Sequence, residues 1–160
     1  MLLRPLQAAD NAAMAAVIRS VSAEFGLAPS QGFAVADATL DDLHAVYGHE
    51  AAAYWVVEND AGEVVGGGGG APLQGAPEIL EIQKMYFMPA ARGQGLAKSI
   101  LLQAFAFGEQ RGQTKFYLET TANLKQAISL YEKLGFEYLN TPLGNTGHSA
   151  ACEIYMHKQI

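Results

Sequence analysis

The chain has 160 residues, half of them hydrophobic and only 16% charged, which is enough to bury a full core and excludes a disordered chain. A formal net charge of −6 with no run of lysine or arginine argues against nucleic acid as a partner, and it leans slightly toward a cationic substrate such as an amine. The lone cysteine, Cys152, rules out an internal disulfide and a cysteine-rich zinc site, so no metal is expected and a reducing compartment fits.

Arg4 and Asp10 break the apolar amino terminus before it can serve as a signal segment, and no stretch approaches the ~20 apolar residues of a membrane span. With no internal repeat or linker, a single cytoplasmic domain over residues 1–160 is expected. Leu2 and Leu3 begin a short strand that Pro5 ends. Asp10 is placed to cap a helix in which Met14, Val17, Ile18 and Val21 keep a helical period, and Phe25-Gly26 stops it. A second short helix is expected over Leu40 to Tyr47, with Thr39 as its cap.

The period then changes. Tyr54 to Glu58 reads as a strand, Asn59 to Gly62 as a turn, and Glu63 to Val65 as the return strand of a hairpin. Five consecutive glycines follow, Gly66 to Gly70. They read either as a kinked strand end or as a surface left bare for a ligand. Ile79 to Met88 is a strand ended by Pro89, and Gly95 to Glu109 is a helix with Leu96, Ile100, Leu101, Ala104 and Phe105 on one face. Phe116 to Leu118 is a strand, and Leu124 to Leu134 is a helix closed by Gly135. The last strands fall near Phe136 to Leu139 and Glu153 to His157. This interleaving predicts an α/β or mixed α+β layer with helices on both faces.

The chemistry concentrates in residues 85–102, MYFMPAARGQGLAKSILL, where a strand enters a loop of Arg92, Gly93, Gln94 and Gly95 and a helix starts at once. Unpaired amides and the helix dipole make such a start a pyrophosphate site. The two glycines remove obstructing side chains, and Arg92 and Lys98 add charge. A P-loop would need Gly-Lys-Ser/Thr where this chain has Gly95-Leu96-Ala97-Lys98. A dinucleotide fingerprint would need a third glycine where Lys98 stands.

The run Arg92-Gly93-Gln94-Gly95-Leu96-Ala97 instead resembles the Q/R-x-x-G-x-G/A signature of the Gcn5-related N-acetyltransferase (GNAT) family. The segment Ile128 to Phe136, ISLYEKLGF, resembles that family's final helix and strand, and the likeness runs from about Leu3 to the end. The resemblance implies a splayed, mostly antiparallel mixed sheet of about seven strands, with acetyl-CoA in the opening between the fourth and fifth. It implies backbone contacts from Met85, Tyr86 and Phe87 to the pantetheine arm, and amides of Arg92, Gly93, Gln94, Gly95, Leu96, Ala97 and Lys98 around the pyrophosphate. Many members carry an asparagine where this chain has Leu124. Asn123, one place earlier, either takes over that pantetheine contact or caps the helix, and the cap is favoured.

Tyr131 corresponds to a tyrosine that protonates the departing thiolate in the family, and a phenol with an ordinary pKa of about 10 suits that task. Two glutamates compete as the base that frees the amine. Glu81 interrupts an apolar strand, where alternation places it on one face with Gln83, Met85 and Phe87. Glu119 matches a base in the ribosomal-protein branch of the family. His148, in the glycine-rich loop Gly144 to Ser149, and Phe25 are candidate acceptor-side residues; Phe33, Tyr47 and Trp55 read mainly as core. Cys152 is not expected to act as a nucleophile, since the family transfers acetyl groups directly. The implied function is acetyl-CoA-dependent transfer to a primary amine of a small molecule or a protein amino terminus. A non-catalytic acyl-CoA sensor is the alternative, a nucleotide-phosphate binder a third reading, and the resemblance also allows a homodimer.

Overall fold

The computed structural model describes residues 1–160. Its strands are β1 (Leu2–Pro5), β2 (Ala53–Glu58), β3 (Val64–Leu73), β4 (Ala76–Phe87), β5 (Lys115–Thr120), β6 (Glu137–Leu139) and β7 (Ile154–Gln159). Its helices are α1 (Asn11–Glu24), α2 (Leu43–Tyr47), α3 (Leu96–Gln110), α4 (Lys125–Lys133) and α5 (Ser149–Cys152). The strands form one sheet in the order β1-β2-β3-β4-β5-β7-β6, in which only the β4–β5 pair is parallel. No helix is long and apolar enough to cross a membrane.

Alternation along β2 sets the layers. Tyr54 and Val56 point into a core with Met14, Ile18 and Val21 of α1 and Leu43 and Tyr47 of α2. Trp55, between them, faces the opposite side, where Leu101, Ala104 and Phe105 of α3 and Tyr131 of α4 pack on Leu80, Phe116 and Met156. Helices therefore cover both faces, as expected.

Three local expectations are corrected. Asp10 does not cap α1. Its carboxylate accepts from the Gln7 amide at 2.8 Å and from Arg4 at 2.8 and 2.9 Å, a partly buried ion pair that outweighs a cap contact. The second helix is only Leu43–Tyr47, because residues 39–42 form a turn instead. The glycine run is neither a kinked strand end nor a bare surface but the buried interior of β3. A β-carbon at Gly67 would lie 2.9 Å from Met14 Sδ and 2.8 Å from the Tyr54 ring, and one at Gly68 would strike Met85. The missing side chains make room for core residues on both faces.

Two irregularities open the sheet. β4 and β5 pair only from Ile79↔Lys115 to Glu81↔Tyr117 and then separate. On its other edge β4 carries a bulge: Gln83 lies opposite Gly69 and Tyr86 opposite Gly67, so β4 spends one extra residue. Lys84 sits in the bulge with φ +51, a left-handed conformation that costs a non-glycine residue about 1–2 kcal/mol. The bulge resets the alternation. Glu81, Gln83 and Tyr86 share the α1 side, while Ile82 and Met85 pack toward α3. Met85 and Phe87 are therefore not on the Glu81 face, contrary to the simple period.

Candidate functional site

Where β4 and β5 part, they leave a cavity of about 330 Å³, bordered by residues 81–86 of β4, residues 118–121 of β5 and the loop before α5. Glu81, Glu119, Tyr131 and His148 all reach it, although they lie far apart in sequence.

Glu81 is 8% exposed, and burial pushes its carboxyl up to about 7, with the nearby Glu119 carboxylate adding to the rise. Gln83 Nε2 donates to Glu81 Oε1 at 2.6 Å, and Tyr47 Oη donates to Gln83 Oε1 at 2.6 Å. The Tyr47–Gln83 bond orients the amide so that its NH₂ group faces Glu81. A carboxyl poised near neutrality at a cavity wall has the properties of a general base.

Glu119 is arranged differently. Its two oxygens accept from the Tyr117, Thr146 and Ser149 hydroxyls. The Tyr117 hydroxyl also receives the Leu143 amide at 3.1 Å. Glu119 thus ties the 143–149 loop to β5, and that work takes up three of its roughly four acceptor positions.

Tyr131 is 6% exposed, packs its ring 5.8 Å from that of Phe136, and has no hydrogen-bond partner within the chain for its hydroxyl. Burial raises its pKa well above the ordinary phenol value, so it carries its proton throughout the physiological range. Cys152 also borders the cavity, and burial pushes its thiol up to about 12, which keeps it from being a nucleophile at neutral pH.

Asp37 also borders the cavity and pairs with both Lys84 and His148. Its Oδ2 lies 2.7 Å from Lys84 Nζ and its Oδ1 lies 2.7 Å from His148 Nε2. The hydrogen bond to Asp37 raises the His148 pKa above its ordinary value, favouring the charged imidazolium.

The start of α3 lies outside this cavity. Gly93 and Gly95 both have φ +75, and a side chain at either would meet open space. The first amide of this region to enter the helical ladder is that of Ser99, which donates to Gly95 O at 3.0 Å. The amides of residues 93–98 point at no acceptor in the chain, so the open loop can take a pyrophosphate. Contrary to the sequence expectation, Arg92 does not offer its charge freely to the loop. Its guanidinium forms two hydrogen bonds to Glu24, at 2.7 and 2.9 Å, and Nε donates to Phe87 O at 2.9 Å. Lys98 stays exposed at the loop.

Two expected site residues lie elsewhere. Phe25 is not at the cavity; its ring sits under the Arg92 guanidinium at 5.2 Å, at the end of α1. Asn123 neither caps α4 nor borders the cavity, and Leu124 takes the N-terminal position while Asn123 Nδ2 donates to Phe25 O at 3.0 Å. Sequence reasoning missed Asp37, Lys84 and the Tyr47–Gln83 relay. For Gln83 and Lys84 the signal was two further polar residues beside Glu81 in β4, and for Asp37 and Tyr47 there was none. Phe33 does line the cavity, whereas Trp55 packs on the far face.

Comparisons with known proteins bear on the family and the fold. The model of the acetyltransferase (GNAT) family matches residues 19–136. The uncharacterized N-acetyltransferase YjgM of Escherichia coli strain K12 is 53% identical over 160 residues, which cover 99% of this chain and 95% of that protein. Among solved structures, an acetyltransferase of the GNAT family from Staphylococcus aureus MU50 superposes with a TM-score of 0.77 at 16% identity, covering 99% of this chain and 98% of that one. A phosphinothricin acetyltransferase from Sinorhizobium meliloti, solved in complex with AcCoA, superposes with a TM-score of 0.73 at 19% identity, covering 99% and 88%. At those identities the two structures bear on the fold alone.

Proposed function

This chain belongs to the GNAT acetyltransferase family and is an acetyltransferase, and from that premise we propose that it transfers the acetyl group of acetyl-CoA directly to a primary amine in the cavity between β4 and β5. The observation that carries the reading is Glu81, a buried carboxyl with its pKa near 7 at a cavity wall. When bound, acetyl-CoA supplies an activated thioester carbonyl and a thiolate leaving group.

The chain's own residues do the rest. The amides of residues 93–98 and Lys98 hold the pyrophosphate, and the ion pair with Glu24 lets Arg92 brace that loop against α1. Beyond Glu81 the β4 edge facing β5 has no strand partner, which leaves the Met85 backbone open to pair with the pantetheine arm, while the Tyr86 backbone is turned to Gly67 of β3 and is not available for it. The Phe87 carbonyl is already occupied by Arg92. Glu81 removes the ammonium proton of the acceptor and exposes the lone pair for attack. Tyr131, protonated and without a partner, donates to the departing sulfur. Glu119 holds the loop that closes the cavity and is assigned no proton transfer. Residues 1–160 act as one transferase domain, since both cores share the one sheet. The sensor alternative is not carried forward, because binding alone has no use for a carboxyl kept near neutrality.

The test is thermal unfolding with acetyl-CoA, CoA or ATP, followed by a screen of primary amines for CoA release. A ligand that binds only the folded state at a hundredfold excess over Kd stabilises it by about 2.7 kcal/mol. Acetyl-CoA and CoA are expected to raise the midpoint and ATP is not. If no CoA species shifts the midpoint at millimolar concentration, the proposed function is wrong.

A further inference from the structure

The acceptor end of the cavity contains a cation that the transfer reaction itself does not need. In a regular strand, position 84 would follow Ile82 onto the α3 face. The bulge turns Lys84 to the cavity side instead, where its backbone carbonyl is held by the Tyr54 hydroxyl at 2.6 Å and its ammonium by Asp37 at 2.7 Å. Strain of this kind persists only where the surroundings over-determine it, and it clusters at functional sites.

The Lys84 side chain is 8% exposed. An ammonium has three N–H donors. Asp37 takes one, the Tyr47 ring lies 6.0 Å away, and the remaining donors have no partner in the chain. A buried charge with unused donors is costly unless something else pairs with it. Asp37 cannot supply more, because its other oxygen is engaged by His148. One carboxylate thus serves both the Lys84 ammonium and the His148 ring, while the carboxyls of Glu81 and Glu119 line the same cavity. An under-paired ammonium and two carboxyls on the wall of one cavity of about 330 Å³ match a small molecule that carries both charges.

We propose that the acceptor is a small amino-carboxylate, an amino acid or a close analogue, whose carboxylate is bound by Lys84 beside His148 while its amine faces Glu81. The inference rests on the transfer reading above and narrows it. Lys84 then acts as a specificity-determining residue: it selects the substrate and takes no part in moving the proton. Diamines and polyamines, which have no anionic group to pair with Lys84, are poor acceptors.

The test uses the full chain, acetyl-CoA and matched pairs of acceptors, each amino acid beside its own carboxamide, with CoA release followed. The carboxamide has the less basic amine and more of the reactive neutral form, so preference for the carboxylate cannot come from amine reactivity. In the best pair, kcat/KM for the carboxylate is expected to exceed that for the carboxamide about tenfold or more. Lys84→Gln is expected to collapse this ratio to within about threefold of unity, mainly through KM for the carboxylate, and Lys84→Arg to restore part of it. Taking the ratio within one preparation cancels any loss of folded protein. The double variant Asp37→Asn/Lys84→Met removes the pair together and leaves no lone buried charge, and it too is expected to lose the preference. If carboxamides or simple amines are acetylated as well as the carboxylates, or if the preference survives both variants, the amino-carboxylate assignment is overturned while the transfer reading stands. If acetyl-CoA gives no midpoint shift and no acceptor of either series releases CoA, the transfer reading itself fails and takes this assignment with it.

Discussion

The two ends of the proposed site are built in opposite ways. The loop at the start of α3 is local: one run of residues supplies an open turn with two glycines at φ +75 and a row of free amides. Its chemistry belongs to the backbone, so identity matters mainly where a side chain must be absent. The cavity is assembled from afar. Asp37 follows α1, Glu81 and Lys84 come from β4, Glu119 from β5, Tyr131 from α4 and His148 from the loop before α5. Its chemistry belongs to side chains whose pKa values and orientations exist only because other segments surround them. A backbone site can be broken by adding atoms, whereas a side-chain site is broken by removing them or by leaving a partner unpaired.

The contrast is tested most severely by Glu81→Gln. Loss of a general base costs about 10²- to 10⁴-fold. We expect kcat/KM to fall by that order while the acetyl-CoA-dependent rise in unfolding midpoint remains, separating the two ends in one variant. An activity loss under about threefold would transfer the role of base to Glu119 or water.

The same residue predicts a pH dependence of stability. The folded chain keeps the Glu81 proton up to about pH 7, whereas an unfolded chain releases it near the ordinary 4.5. The folded state therefore binds more protons between those values, and stability falls as pH rises through them, by about 3 kcal/mol from this group. Denaturant unfolding at pH 5 and pH 8 is expected to show that loss in the wild type and a smaller one in Glu81→Gln. Equal slopes in the two proteins would mean that Glu81 ionises without penalty.

Gly95→Glu attacks the other end. The side chain enters open space, but a non-glycine residue at φ +75 is strained and its carboxylate repels phosphate. We expect loss of the acetyl-CoA midpoint shift, about 2.7 kcal/mol at a hundredfold excess over Kd, with a much smaller change in the apo midpoint. A retained shift would remove this loop from the cofactor site.

Gly68→Val probes the sheet that carries both ends. Its β-carbon would strike Met85, and overpacking of a core costs about 1–3 kcal/mol. Chemical denaturation should read a loss of that size. No loss would mean that the glycine run answers to something other than packing. The smallest effect belongs to Asn123→Ala. Its exposed amide contacts only Phe25 O, so stability is expected to move by less than about 0.5 kcal/mol and KM for acetyl-CoA to stay within about twofold. A larger rise in KM would put Asn123 back among the cofactor contacts.

Elements with a clean period were legible from the chain alone. α1, α3, α4 and most strands fall where Met14 to Val21, Ile100 to Phe105 and Tyr54 to Val57 place them. The signature Arg92 to Ala97 marked the backbone loop, because glycines and a helix start are written in adjacent residues. The errors arose where distant partners decide. Asp10 was drawn from its cap by Arg4, Asn123 toward Phe25 O, and Arg92 onto Glu24. Five glycines suggest weakness in isolation, yet they lie inside β3 because Met14, Tyr54 and Met85 need their volume.

Sequence by itself determined the periods, the turn glycines and the phosphate-loop pattern, since each depends on neighbours within a few positions. Tertiary structure alone decided the bulge that turns Lys84 toward the cavity, the separation of β4 from β5 beyond Glu81, and the burial that brings Glu81 near neutrality. The physical reason is that desolvation and pairing energies depend on what surrounds a group in space, and for these residues the surroundings are supplied by segments tens of residues away.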